Sequence, residues 1–158
     1  MQESVQKYYG ETLTGTQDLL TNACCTDTGL PYFVKPLLNR VHAEVRARYY
    51  GCGLVLPELL ERLTILDLGC GAGRDVYVLS QLAGEKGRIV GVDMTEEQLA
   101  VARQHDKYHQ KAFGYKRSNV RFLQGYIERL HELELADASM DLIVSNCVIN
   151  LAPDKAAV

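Results

Sequence analysis

The sequence predicts an α/β fold built on a parallel sheet. Two observations carry that prediction. From residue 63 onward, short apolar runs alternate with stretches of helical periodicity. Such strands, separated by helices, fit a parallel sheet covered on both faces. The first run closes directly into a glycine-rich turn, Asp67-Leu68-Gly69-Cys70-Gly71-Ala72-Gly73, with a helical pattern after it. That is the order in which an open α/β sheet presents a ligand site.

Residues 1–62 read as helices and loops. Ser4 to about Leu13 forms a short helix, with Val5, Tyr8, Tyr9 and Leu13 near helical spacing. A Thr-rich loop from Gly15 to Gly29 carries Cys24 and Cys25. Pro36 sits where a first helical residue would, and the helix runs to about Tyr50 with Leu37, Val41, Val45 and Tyr49 as its buried stripe. Gly51 and Gly53 end it and bracket Cys52, and Pro57 opens a helical turn that ends near Arg62.

Residues 63–158 hold the sheet. Thr64 to Leu68 is strand one, and Asp75 to Leu82 is a helix with Val76, Leu79 and Leu82 on one face. Gly84-Glu85-Lys86-Gly87 turns into strand two, Arg88 to Asp93. Thr95-Glu96-Glu97-Gln98 has the form of a capping box and opens a helix to about Lys111, with Leu99, Ala102 and Tyr108 inward. Val120 to Leu123 is strand three, Ile127 to Leu133 a helical turn, and Asp141 to Ser145 strand four. Pro153 has the look of a new helix start five residues before Val158. A parallel strand four is normally followed by a crossover helix and another strand, and without them its apolar edge stands open. The sheet is therefore expected to be incomplete, against the alternative of a finished four-strand domain.

Composition excludes several function classes. The chain is 47% hydrophobic and 23% charged over 158 residues, with a net charge of -3. This is a globular composition without the basic footprint of nucleic-acid or anionic-membrane binding. The N-terminal residues lack a signal-peptide core, and no apolar run reaches membrane-span length. A cytoplasmic protein is the expectation. The cysteines (Cys24, Cys25, Cys52, Cys70, Cys147) are odd in number, which argues against a disulfide framework. His42, His105, His109 and His131 fall on predicted helices at no ligand spacing and read as packing or solvated residues.

Gly69, Gly71 and Gly73 let backbone approach a ligand beyond strand one, where the next helix presents its N-terminal N–H groups. Asp93 ends strand two, twenty residues past Gly73, where an acid can accept both ribose hydroxyls. Alternatives are an ordinary strand-to-helix turn, a helix cap at Asp93, and NAD binding. However, the spacing is G-x-G-x-G, and Arg74 stands where a dinucleotide fingerprint has glycine. With Asp67 two residues before Gly69, the loop resembles the first motif of class I S-adenosylmethionine-dependent methyltransferases. That resemblance implies a Rossmann-like sheet and a cofactor whose ammonium and sulfonium favour a nearby carboxylate.

A narrower resemblance rests on other segments. They are Tyr49-Tyr50-Gly51-Cys52-Gly53-Leu54-Val55, Gly73-Arg74-Asp75, Asp93-Met94-Thr95, Gly125-Tyr126-Ile127-Glu128 and Ser145-Asn146-Cys147-Val148-Ile149-Asn150-Leu151. With Tyr8-Tyr9-Gly10 and Thr21-Asn22-Ala23-Cys24, they resemble the arsenite methyltransferase family over nearly the whole chain. The resemblance implies methyl transfer from S-adenosylmethionine to trivalent arsenic held by thiolates of Cys52 and Cys147. Cys24 joins the thiol cycle, with thioredoxin or glutathione as reductant. It also implies Tyr50 and Gly51 near the cofactor, Met94 against the adenine, Ile127 and Glu128 at the adenine edge, and Asn146 near the methionine moiety. The family has a further arsenic-ligating cysteine beyond strand four, which this sequence does not contain, and Cys25 matches no motif position.

The residues alone support part of this. Soft thiolates suit a soft acceptor. Cys147 follows strand four at the carboxyl edge, and Cys52 sits in a glycine-bracketed turn. No C-x-x-C spacing points to zinc. Each cysteine taken singly also reads as a buried small side chain, and Cys70, inside the glycine loop, reads as an inert one. A methyltransferase for another small molecule and a cofactor-binding fragment without activity remain open on these residues.

Overall fold

The computed structural model describes residues 2–12, 31–57 and 59–158. Four parallel strands form one sheet: β1 (Thr64–Leu68), β2 (Arg88–Asp93), β3 (Val120–Gln124) and β4 (Leu142–Ser145), in the order β3-β2-β1-β4. The helices are α1 (Gln2–Lys7), α2 (Val34–Asn39), α3 (Ala43–Ala47), α4 (Arg74–Ala83), α5 (Glu96–Gln104) and α6 (Asp106–Phe113). This is the parallel α/β sheet that the alternation of apolar runs and helical stretches predicts, in the Rossmann-like form that the methyltransferase resemblance implies.

Period-2 alternation divides each central strand between two cores. Ile65 and Ile89 point into a cluster with Val76, Tyr77 and Leu79 of α4, Leu99 and Ala102 of α5, and Val41 and Val45 of the N-terminal segment. Leu66, Leu68, Val90 and Val92 point the other way, onto Ile127, Leu130 and Leu133 around the 3-10 turn Ile127–Glu132. Helices thus cover one face, and a turn between β3 and β4 covers the other. β4 is an edge strand, and Ile143 on it is 55% exposed.

Several local expectations are overturned. The helix expected from Pro36 to Tyr50 breaks at Arg40–His42. His42 takes extended backbone (φ -55°, ψ 141°) and caps α3 by accepting from the Glu44 amide at 3.3 Å. Its own amide donates to His109 Nε2 at 3.0 Å. The helix expected from Thr95 to Lys111 breaks at His105, which ends α5 and precedes α6. The break rotates the register, so His109 is buried at 1% exposure and Tyr108 faces out at 46%. No helical turn follows Pro57 among the described residues, because Leu59 and Arg62 both take positive φ. At the other end, Asp154 Oδ1 accepts from the amides of Ala156 and Ala157 in the manner of an N-cap, but only a turn follows. α1 is shorter than expected and runs into a π-helical turn, Tyr8–Thr12, while Leu13, Cys24 and Cys25 lie outside the described residues. No helix among the described residues is long and apolar enough to cross a membrane.

Candidate cofactor and thiol site

The chain runs β1 to β2 to β3 in one direction across the sheet and then returns to place β4 on the other side of β1. The switch point therefore lies between the carboxyl ends of β1 and β4, where ligands bind in open α/β sheets. A cavity of about 1060 Å³, open mouth included, occupies this place. Asp67, Gly69 and Gly71 line it from β1 and its turn, and Asp93 and Met94 from the end of β2. Ile127 and Glu128 line it after β3, Asn146 and Cys147 after β4, and Tyr50 and Gly51 from the N-terminal segment.

Its walls are set by hydrogen bonds that lock the β1 turn to β2. The amides of Gly69 and Cys70 both donate to the Val92 carbonyl, at 2.8 and 3.0 Å. The Gly71 amide donates to Asp93 Oδ2 at 2.8 Å, and the Thr95 amide donates to Oδ1 at 2.8 Å. The Thr95 hydroxyl also bonds to Asp93 and makes no cap bond to α5. Gln98 donates instead to the Tyr9 carbonyl at 2.8 Å, so the expected capping box is not formed. With Gln6 donating to the Met94 carbonyl at 2.8 Å, this docks the N-terminal helix along the cavity, which Val5 and Tyr9 help to wall.

The glycines divide by task. A Cβ on Gly69 would meet Val148 atoms at 2.6–2.7 Å, and one on Gly73 would meet the Phe122 ring at 2.9 Å. These two permit close packing of protein against protein, and Gly73 does not line the cavity. Gly71 differs: with φ at 53° and nothing within 4 Å of a built Cβ, it is the loop position whose backbone faces open space.

The carboxylates of Asp67, Asp75 and Asp93 gather in this cavity, which Glu128 also lines. Burial pushes the Asp67 carboxyl well above its ordinary range, and the neighbouring Asp75 and Asp93 push it further. Burial also raises Asp75, against the pull of Arg74, and raises Asp93, against hydrogen bonds from Thr95 and Gly71. Asp75, at the start of α4, was not singled out from sequence. A wall that strips water from clustered carboxylates favours a positively charged ligand, whose charge replaces the lost solvation. The charge on a sulfonium and an ammonium fits this wall; a pyrophosphate does not.

Beside the cavity mouth, one side chain ties the two cysteine loops together. Asn146 Nδ2 donates to the Gly53 carbonyl at 3.0 Å and the Tyr49 hydroxyl at 2.9 Å, with Asp75 Oδ2 at 3.4 Å. Its Oδ1 accepts from the Cys52 amide at 3.4 Å. The Tyr49 hydroxyl donates to the Gly53 carbonyl. Arg74, 6% exposed, lies 3.0 Å from the Tyr49 ring centre, donates to the same carbonyl at 2.9 Å and pairs with Asp75 at 2.8 Å. Cys52 and Cys147 are both exposed and neither is in a disulfide. Cys147 lines the cavity, whereas Cys52 stands outside its lining. Cys70 is buried against Gly91, and burial pushes its thiol well up, as fits an inert side chain. Cys24 lies outside the described residues.

His42, Glu44 and His105 also gather ligand atoms within 4.8 Å of one another. The two rings stack, however, with centres 3.6 Å and planes 18° apart. Their in-plane lone pairs run in parallel planes and do not converge on an ion, and His42 Nδ1 is engaged as a helix cap. This cluster joins α3 to the α5–α6 break, a packing role, while His131 is exposed.

Residues 59–158 match the family model described as a methyltransferase domain. The whole chain is 60% identical to a protein named arsenite methyltransferase from Aquipseudomonas alcaligenes, and 98% of it is 53% identical to one of the same name from Homo sapiens. The chain spans 45% and 42% of the lengths of those relatives. Among solved structures, an arsenic (III) S-adenosylmethionine methyltransferase from Chlamydomonas reinhardtii superposes with a TM-score of 0.78 at 51% identity. That match covers 80% of this chain and 42% of the other. A glycine loop at the sheet's switch point, acids at the ends of β1 and β2, and a family model matched across the entire sheet lead to one assignment: this chain belongs to the methyltransferase-domain family.

Proposed function

We propose that this chain is the cofactor-binding portion of an arsenite methyltransferase. The observation that carries this reading is the wall of Asp67, Asp75 and Asp93 in a cavity with the Cys147 loop at its rim. Similarity to proteins named for that activity supports it. Asp67 faces the cationic end of S-adenosylmethionine, Asp93 the ribose, and Met94, Ile127 and Glu128 the adenine. Tyr50 and Gly51 close the N-terminal side.

When bound, S-adenosylmethionine supplies a methyl group carried on a sulfonium. As(III) carries a lone pair, so the chain need supply no general base, only position and exclusion of water. Cys52 and Cys147 hold arsenite or its thiol conjugate as substrate. Cys24 takes part in the thiol cycle, with thioredoxin or glutathione restoring the reduced state, in the cytosol.

Titration calorimetry tests the cofactor. One equivalent of S-adenosylmethionine should bind and NAD should not, and the reverse result defeats the reading. Arsenic speciation after incubation with arsenite, S-adenosylmethionine and glutathione tests the acceptor. Cys147→Ser should abolish methylated product, and undiminished product excludes the thiolate role.

A further inference from the structure

We infer that Asn146 is a positioning residue that sets the spacing of Cys52 and Cys147, an inference that rests on the thiolate reading above. Asn146 was expected beside the methionine moiety. It lines the cavity, and its amide is engaged at both ends on the opposite loop: Oδ1 takes the Cys52 amide, and Nδ2 reaches the Gly53 carbonyl and the Tyr49 hydroxyl. The residue that follows it is Cys147. One amide side chain therefore grips the amide of one cysteine, and the carbonyl of the residue after it, from the position before the other cysteine, 94 residues away in sequence.

Two further observations make this a set geometry. Cys147 has a φ of 59°, a left-handed backbone unusual for a residue with a Cβ and kept only where its surroundings enforce it. On the far side, Val148 is wedged where a Gly69 Cβ would be. The Asn146–Val148 turn is thus held from both flanks, with Cys147 left exposed between them. Two thiolates chelate one As(III) tightly only if their separation is set before the ion arrives.

Phenylarsine oxide, which takes two thiols, is the probe, with affinity measured in the chain carrying Cys24→Ser and Cys25→Ser. Cys52→Ser should weaken binding by removing chelation. Asn146→Ala should weaken it about tenfold with both thiols present, as expected for lost preorganisation. In the Cys52→Ser background Asn146→Ala should add no further loss, a coupling that general destabilisation would not produce. Tyr49→Phe, which leaves Asn146 in place, should give a smaller weakening with the same coupling, and it serves if Asn146→Ala does not fold. Unchanged affinity in both variants while Cys52→Ser is weak, or equal losses in both backgrounds, overturns the positioning role. Unchanged affinity in Cys52→Ser itself overturns the thiolate reading along with it.

Discussion

Tyr77 and His109 lie face to face in the core, with ring centres 3.5 Å and planes 21° apart. His109 Nδ1 meets the His105 carbonyl at 2.7 Å, and its Nε2 accepts from the His42 amide, so the ring sits as the neutral Nδ1–H tautomer. Burial lowers its pKa to about 4. Unfolded, the same ring titrates near its ordinary 6.5. Between those values the unfolded chain binds more protons, so His109's contribution is present above about pH 6.5 and is lost as pH falls toward 4. In urea melts at pH 7 and pH 5, His109→Gln should start less stable but change less between the two. Equal changes in parent and variant would show that His109 is not the titrating group.

The carboxylate wall makes the opposite demand. Asp67, Asp75 and Asp93 are raised in the folded chain, so holding them ionised near neutrality costs stability. Asp67→Asn should therefore raise the melting temperature of the ligand-free protein. It should also weaken S-adenosylmethionine binding by about 2 kcal/mol, roughly thirtyfold. Binding a cation should release protons, seen as a calorimetric heat that varies with buffer ionisation enthalpy. A buffer-independent heat, or a less stable Asp67→Asn protein, would contradict this account.

Gly69 and Val148 test the packing of the two loops. Gly69→Ala places a methyl within 2.6 Å of Val148 at a φ of 75°, which should cost about 2–3 kcal/mol from overlap and backbone strain together. Adding Val148→Ala should recover the overlap part and leave the strain. A double variant no more stable than Gly69→Ala alone would mean that Val148 is not what the methyl meets.

Arg74 is buried between the Tyr49 ring, the Gly53 carbonyl and Asp75. Arg74→Ala leaves the Asp75 carboxylate without its cation and should cost about 3–5 kcal/mol in denaturant melts. Arg74→Lys should recover little, because an ammonium cannot stack on the ring and reach both oxygens at once. Full recovery by lysine would reduce Arg74 to a point charge.

Much of the scaffold was legible in residue order. The strand positions followed from apolar runs, and the Gly69–Gly73 turn followed from its place after the first of them. Both breaks in the helices escaped notice for a shared reason. His42 leaves the helix because its amide is claimed by His109, and His105 ends α5 while pairing with Glu44, contacts between segments 61 and 67 residues apart. Helical periodicity sees only neighbours three and four apart. The capping box failed similarly, since the Thr95 hydroxyl was claimed by Asp93 and Gln98 by Tyr9.

At the site, residue order alone fixes which chemical groups are present: a glycine turn after β1, acids at the ends of β1 and β2, and cysteines beside glycine or a strand end. These are local matters, settled by backbone freedom and by alternation along a strand. What each group touches there depends on how the folded chain brings distant segments together. The fold separated Gly71, where a Cβ would meet open space, from Gly69 and Gly73, where one would strike packed side chains. It added Asp75 and Arg74 to the wall and turned Asn146 toward the Cys52 loop. A side chain's partners are fixed by which strands lie side by side, and the return of β4 to pair with β1 brings residue 146 against residues 49–53.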